Sequence, residues 1–369
     1  MSEDKLAIIG GGIAGVGLAL IAAEKGFQVT LIEKNKLFSG ASSNSLRIIH
    51  GGLRYLKNFN LPRAIISARA KKELFERFGD YIKPLSCYMP IQDRFSMTGV
   101  FACRLGAFGY RLIERAVGNK RATPQVFDNV PEICGLFPEL PFVPKGFLFW
   151  QDGVINDLQA FHDALRKILI GYGVSIIEDH KALSIESNET APIKIIISDE
   201  KQTYSEIISD FLIDTTISKN LLLNGESSSD FNLARAFNFI FRCRYCFGGA
   251  LAIASPSGRQ FFFVPRGNLL AIGTGYLPYK GELTLSKSEK EIFFKEINES
   301  LPALKLDFDD LVSIDLGILP VRKITERGEV SFLEAPIIKS QQDRIFHLMT
   351  PKYTTFLEVA RLLIGRLPT

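Results

Sequence analysis

The feature that most constrains this chain is Gly10-Gly11-Gly12-Ile13-Ala14-Gly15, set between the apolar run Leu6-Ala7-Ile8-Ile9 and the stretch Val16 to Glu24. Strand, glycine turn and helix in that order make a dinucleotide-binding unit. Each glycine answers a steric demand. Gly10 permits the tight turn, Gly12 leaves room for a pyrophosphate to approach the backbone, and Gly15 lets the helix pack close on the strand. The helix start at Ile13 and Ala14 attracts the phosphates. A second strand, Gln28 to Ile32, ends at Glu33 and Lys34. The Glu33 carboxylate is placed to accept hydrogen bonds from a ribose and disfavours a 2′-phosphate. A glycine turn alone can be purely structural; two strands, a helix and the acidic residue together point to a bound dinucleotide.

At 369 residues the chain exceeds the usual single-core size, so two packed lobes are expected. With 46% hydrophobic and 23% charged residues it can bury a sizeable core. A net charge of +4 is small for this length and does not suggest nucleic-acid binding. The five cysteines form no disulfide framework and fit a reducing compartment. Cys243-Arg244-Tyr245-Cys246 is a lone CxxC without the second pair of a zinc site, and reads as structural. Leu6 to Ala23 is apolar enough to span a bilayer, but its five glycines sit at the dinucleotide-motif positions, so a βα unit accounts for it better. The acidic Ser2-Glu3-Asp4 start is unlike a signal peptide, and the expectation is a cytoplasmic protein.

Phe38-Ser39-Gly40-Ala41-Ser42-Ser43-Asn44-Ser45, followed by Ile49-His50-Gly51-Gly52-Leu53-Arg54-Tyr55-Leu56, resembles the FAD-dependent glycerol-3-phosphate dehydrogenases of the D-amino-acid-oxidase-like flavoprotein superfamily. Three later patches are similar to the same family in the same order: Gly146 to Gly153 with Asn156-Asp157, Ile272-Gly273-Thr274 with Tyr279-Lys280-Gly281, and Lys352-Tyr353-Thr354-Thr355. The resemblance implies FAD as cofactor and an α/β fold: a two-lobed flavoprotein with a Rossmann-type FAD-binding domain and an interleaved α+β substrate domain. It also implies that Ser42, Ser43, His50, Gly51, Gly52, Leu53 and Thr354 join the glycine turn and Glu33 around the cofactor.

Residues 1–60, 146–230 and 311–369 are assigned to the FAD-binding domain, and 61–145 with 231–310 to the substrate domain. Residues 61–145 read as helical and irregular, with helices over Pro62 to Phe78 and Phe101 to Ala122. A helix is expected over Leu158 to Tyr172, strands over Val174 to Ile177, Ile193 to Ile197 and Phe211 to Ile213, and a closing helix over Thr354 to Leu367. Residues 231–300 alternate apolar and polar, as in Arg259-Gln260-Phe261-Phe262-Phe263-Val264, and should form the substrate-domain sheet.

In such a fold the flavin takes a hydride from a substrate carbon while the protein binds the substrate's anionic group and removes a proton. Arg54 suits the anion because its planar fork donates two parallel hydrogen bonds. Tyr55 and Lys352 are candidate neighbours of the flavin or the anion, and His50 is a candidate flavin neighbour. Against the family pattern, the histidine expected as proton acceptor is replaced by Asn238, whose amide cannot act as a base at neutral pH. The substrate arginine falls at Leu319, with Arg322 three residues on as a possible substitute. Thr350-Pro351 replace a glycine pair, Tyr276 an aspartate and Ile217 a glycine near the flavin phosphates.

The function expected is therefore FAD-dependent oxidation of an anionic small-molecule alcohol or amine, with weak or absent turnover of glycerol 3-phosphate itself. An amino-acid or 2-hydroxy-acid oxidase and a non-catalytic flavin-binding protein are the rivals. The electron acceptor would be a quinone or oxygen. Phe101, Leu105, Phe108, Leu112 and Ile113, interleaved with Arg104, Arg111, Arg115, Lys120 and Arg121, form a basic amphipathic segment that could bring the protein to the inner face of a membrane. The alternative is a helix that turns its apolar side to the core.

Overall fold

The structure, a computed structural model, describes residues 4–58, 60–96, 98–119, 124–188, 191–217, 231–245, 247–341 and 343–368. Cys246, Lys120 and Arg121 lie outside the described residues, and with them part of the CxxC and of the basic segment.

The opening strand, Lys5–Ile9, leads through the glycine turn into α1 (Ile13–Glu24) and then the strand Gln28–Ile32. These strands are central in a six-stranded sheet with the order Ile337–Gln341, Ile345–Met349, Phe211–Asp214, Lys5–Ile9, Gln28–Ile32, Ser175–Ile177. All neighbours are parallel except the outer pair Ile337–Gln341 and Ile345–Met349. Side chains alternate between two faces, as strand geometry requires. Leu6, Ile8, Val29 and Leu31 pack under α1 and the helices Leu158–Gly171 and Phe356–Ile364. Ala7, Ile9 and Ile32 face Ile193, Ile195 and Ile197 of a three-stranded antiparallel sheet. The apolar run 6–23 is thus divided between strand and α1. Among the described residues no helix is long and apolar enough to cross a membrane.

A nine-stranded sheet builds the second layer. Its main path runs Leu311–Val321, Asn232–Arg242, Leu269–Pro278, Gln260–Arg266, Ala250–Ala254, Ile82–Ile91, Gly146–Ile155, Ile48–Ile49, with Gln125–Phe127 also paired to Gly146–Ile155. One face is lined by Phe237, Phe239, Phe241, Phe261 and Phe263 and covered by Phe293 and Ile297 of the helix Lys287–Ser300. Phe293 meets the rings of Phe237, Phe239 and Phe261 edge-on at 4.7, 4.8 and 5.2 Å.

Ile48–Ile49, Gly146–Ile155 and Leu311–Val321, in segments that the sequence places with the nucleotide-binding lobe, pair within the nine-stranded sheet. One sequence expectation changes here. The segment 61–145 is not wholly helical and irregular, because Ile82–Ile91 is a ten-residue strand. Its prolines, Pro84 and Pro90, hide it. They sit opposite Gly153 and Phe147 on one side, while on the other side only Cys87 and Tyr88 are paired, so the missing N–H groups break no second ladder.

Two helices cover the other face of this sheet. Asn60 caps α2 (Leu61–Phe78) by accepting from the Arg63 N–H, and α3 spans Val100–Ala116. Between them lies a buried ion pair, Lys71 Nζ to Glu114 Oε1 at 2.8 Å, with both side chains under 5% exposed. Lys71 also donates to the Gln151 carbonyl at 3.0 Å, and the Tyr110 hydroxyl donates to the Gly51 carbonyl.

Candidate functional site

The glycine turn is built as its chemistry demands. Gly10 has φ +106°, and a Cβ at Gly15 would lie 1.9 Å from the Gly10 carbonyl oxygen, so both positions exclude a side chain. At Gly12 an added Cβ would meet only the Ser42 hydroxyl, at 3.3 Å, which leaves the approach to the backbone open. Ser42 Oγ accepts from the Ile13 N–H at 2.9 Å, at the start of α1. The Glu33 carboxylate accepts from Gly11 N at 2.6 Å and Asn35 N at 2.9 Å, fixed at the end of its strand. Ser43 instead donates to the Phe38 carbonyl at 2.8 Å and shapes the loop.

A cavity of about 1480 Å³ joins this turn to the substrate end. That exceeds the roughly 300–1,000 Å³ of a typical small-ligand site and suits a dinucleotide with a second molecule beside it. It is lined by Gly10, Gly12, Ile13, Ala14, Glu33, Lys34, Ser42, His50, Arg54, Tyr55, Lys352 and Thr354 among the residues expected from sequence. Gly15, Ser43, Gly51, Gly52 and Leu53 stand behind this wall. Two buried polar atoms of lining residues, Arg47 Nε and Thr216 Oγ1, have no partner in the protein. Buried polar groups are rarely left so, and a bound cofactor would satisfy them. The site therefore fits FAD, which the glycine turn, Glu33 and the His50 segment would hold.

That segment is fixed from below. Asp152, 4% exposed, accepts from Gly51 N at 2.7 Å and Trp150 Nε1 at 3.0 Å, and faces His50 Nδ1 at 3.3 Å. Burial alone would push this carboxyl up, but the hydrogen bond and charge of His50, the Lys71 charge and the Gly51 N–H together hold it below the usual range. The His50 N–H donates to Thr354 Oγ1 at 3.1 Å, tying the motif to the C-terminal segment that carries Lys352.

At the substrate end Tyr55 is surrounded by cations. Lys352 Nζ lies 4.0 Å from its ring centroid, the Arg63 guanidinium 4.6 Å and that of Arg54 5.3 Å. Arg54 also donates weakly to the Tyr55 hydroxyl at 3.4 Å, and Arg63 donates to the Leu333 carbonyl at 2.7 Å. Burial raises the Tyr55 phenol, but Arg54 and Lys352 overcome it and bring it down to about 8. Burial also lowers Lys352, to about 8, with Tyr55 opposing and Arg63 and Arg54 adding to the effect. Arg259 and Arg327 line the same end; the Arg259 charge is matched by Glu296 at 3.0 Å.

The departures from the family pattern are visible in place. Asn238 is buried, lines the cavity and accepts from Thr274 Oγ1 at 3.0 Å. Leu319, Tyr276, Ile217, Thr350 and Pro351 also line it. Arg322 does not: it is exposed and outside the lining, so it does not replace the arginine missing at Leu319. Sequence reasoning missed Arg63, Arg327 and Asp152. Asp152 lay inside a quoted motif, but nothing in sequence distance tied it to Gly51.

The chain belongs to the FAD dependent oxidoreductase family, whose model matches residues 5–352. It is similar to the aerobic glycerol-3-phosphate dehydrogenase of Bacillus subtilis (strain 168), at 24% identity over 88% of this chain and 59% of that protein. It is likewise similar to the alpha-glycerophosphate oxidase of Enterococcus casseliflavus, at 24% identity over 87% of this chain and 54% of that protein. The chain thus spans less than two thirds of the length of these relatives. In fold it resembles the glycerol-3-phosphate dehydrogenase from Bacillus halodurans complexed with FAD, with a TM-score of 0.73 at 18% identity, covering 100% of this chain and 64% of that one. Glycine oxidase from Geobacillus kaustophilus is similar in fold too, with a TM-score of 0.71 at 17% identity over 99% of this chain and 94% of that one.

Proposed function

We propose that this chain oxidises a small anionic alcohol or amine, in the manner of a glycerol-3-phosphate dehydrogenase, with FAD as hydride acceptor. One observation carries the proposal: Arg54, Arg63 and Lys352 converge on Tyr55 without a carboxylate partner among the described residues, in the same cavity as the dinucleotide turn. Uncompensated cations at close quarters repel one another and are relieved by an anion. The bound flavin supplies the two-electron acceptor; Arg54 and Arg63 hold the anionic group, and the surrounding apolar groups, Phe332 and Phe262 among them, keep water from the reacting carbon. The likeness to glycerol-3-phosphate dehydrogenases supports glycerol 3-phosphate as the first substrate to try, while Asn238 and Leu319 support a different preferred anion.

The test is anaerobic reduction of the bound flavin by glycerol 3-phosphate, lactate and glycine in wild type and Arg54→Ala. Reduction by one anion, lost on Arg54→Ala, supports an oxidoreductase and names its class. Reduction by glycine or lactate alone favours the amino-acid or hydroxy-acid oxidase. No reduction by any, with FAD tightly bound, favours a non-catalytic flavin protein.

A second proposal concerns the partner. On α3, Cys103, Ala107, Tyr110 and Ile113 turn inward, whereas Phe101, Leu105, Phe108 and Leu112 are 72%, 65%, 54% and 50% exposed. The apolar stripe thus faces away from the core, with Arg104 and Arg115 exposed beside it. Ile113, expected in the stripe, belongs to the core. This arrangement supports peripheral attachment to an anionic membrane, where a quinone could take the electrons.

A further inference from the structure

The reading of the site as catalytic leaves one step without an agent. Oxidising a hydroxyl carbon releases a proton as well as a hydride, and Asn238 cannot take it.

At the other side of the same cavity end stand a phenol and an amine in contact. Tyr55 comes from the short helix Leu53–Asn58 and Lys352 from the segment preceding Thr354, which the His50 N–H binds. Lys352 Nζ lies over the Tyr55 ring at 4.0 Å, with Arg63 of α2 and Arg54 on the ring's other approaches. Among the described residues, the other charged or titratable groups at this end are Tyr276, which acts on Arg54 together with the buried Asp152, and Arg259, Arg327 and Glu329 on the cavity wall. Four proton-bearing groups thus crowd into one place with no carboxylate on the Tyr55–Lys352 contact among the described residues. Repulsion is lowest if one proton leaves, and only the phenol and the amine can release it, since a guanidinium keeps its proton.

We propose that Tyr55 and Lys352 act as one proton-accepting unit for substrate oxidation. With one proton released, the unit is an ammonium beside a phenolate. The substrate O–H bond breaks toward Tyr55 Oη, and the C–H bond breaks with its electron pair toward FAD. The C–O bond becomes C=O, the C–H electron pair goes to the two-electron acceptor that bound FAD would supply, and the unit is left as ammonium beside phenol until the proton passes to solvent. Both groups being drawn to about 8 agrees with a shared titration that belongs to the pair rather than to either residue.

This inference rests on the proposed oxidoreductase function, and its test separates the two. The ultraviolet tyrosinate band of wild type minus Tyr55→Phe is followed against pH, which needs no substrate. Tyr55 is expected to ionise near pH 8, against about 10 for an unperturbed tyrosine. Flavin reduction by glycerol 3-phosphate is then measured against pH in wild type, Tyr55→Phe, Lys352→Met, Lys352→Arg and His50→Gln. Tyr55→Phe should lower the reduction rate by about 10²- to 10⁴-fold and lose the rise through pH 8. Lys352→Met removes the charge that stabilises the phenolate and should move the rise toward about pH 10, whereas Lys352→Arg keeps that charge and should retain the rise near pH 8. Tyr55 ionising at or above 10 in wild type, Lys352→Met with the wild-type rate and profile, or His50→Gln alone abolishing the rise would each overturn the proposal. If the wild-type flavin is not reduced by glycerol 3-phosphate, lactate or glycine, the catalytic function itself fails, and the proton-accepting role with it.

Discussion

Gly51 donates its N–H to the buried Asp152 carboxylate at 2.7 Å, and so the turn that carries His50 toward the cofactor is held by a charge beneath it. Lys71 acts on the same carboxylate and is itself paired with Glu114 between α2 and α3. A charge-bearing layer therefore links two helices to the cofactor wall.

Removing one partner of the Lys71–Glu114 pair should be costly. Both side chains are under 5% exposed, so Lys71→Met leaves an uncompensated buried carboxylate, a loss of about 3–5 kcal/mol. The double substitution Lys71→Met/Glu114→Leu should recover much of that loss. Urea unfolding of the three proteins checks this, and equal stability of the single and double variants would contradict it.

How much of this was legible in the sequence depended on how local the cause was. The glycine turn, α1 and the strand ending at Glu33 are set by neighbours along the chain, and they formed where the spacing put them. The helix Leu61–Phe78 was likewise readable from its period, but the burial of Lys71 within it was not, because its partner Glu114 lies 43 residues away. Ile82–Ile91 was hidden by Pro84 and Pro90, because a proline's effect in a strand depends on which edges are paired. Arg63 stands over Tyr55 only because the short helix Leu53–Asn58 folds back on α2, and nothing in its own neighbourhood announces that.

The two glycines should separate binding from folding. At Gly12 an added Cβ meets only the Ser42 hydroxyl, at 3.3 Å, whereas at Gly15 it meets the Gly10 carbonyl oxygen at 1.9 Å. Gly12→Val is expected to fold with nearly wild-type stability in the absence of FAD and to fail to bind it, since the side chain fills the approach to the backbone. Gly15→Val should be destabilised even without FAD, by a few kcal/mol or about the cost of overpacking. Thermal unfolding of the FAD-free proteins and FAD titration by flavin fluorescence distinguish the two.

His162 should give the stability a acid-side slope. It stacks on Phe38 at 3.9 Å and lies 3.0 Å from the Tyr353 hydroxyl, beneath the loop that carries Ser42. Burial lowers its imidazole to about 4, with Arg47 adding to the effect and Asp163 opposing it. The unfolded chain then binds the extra proton between about pH 6.5 and 4, so stability falls as pH drops through that window, by about 1–3 kcal/mol in all. Denaturant unfolding at pH 7, 5.5 and 4.5 should show the slope in wild type and a shallower one in His162→Gln. Parallel curves for the two proteins would assign the acid sensitivity elsewhere.

The exposed stripe on α3 makes the last prediction. Phe101, Leu105, Phe108 and Leu112 are each at least half exposed, and Phe95, in the loop just before the helix, is 92% exposed. Burying one such side chain in the acyl boundary is worth about 1.5–3 kcal/mol, and each arginine near an anionic surface adds about 1 kcal/mol. Arg104 already contacts Asp128, so Arg111 and Arg115 should carry more of the electrostatic share. The protein is expected to float with anionic vesicles at low salt and less so at high salt. Leu105→Asp/Phe108→Asp should weaken that binding by about 100-fold or more without affecting FAD content, because neither side chain lines the cavity or the core. Arg111→Gln/Arg115→Gln should weaken it less and flatten its salt dependence. Equal flotation of wild type and the Leu105→Asp/Phe108→Asp protein would show that this face does not meet the bilayer.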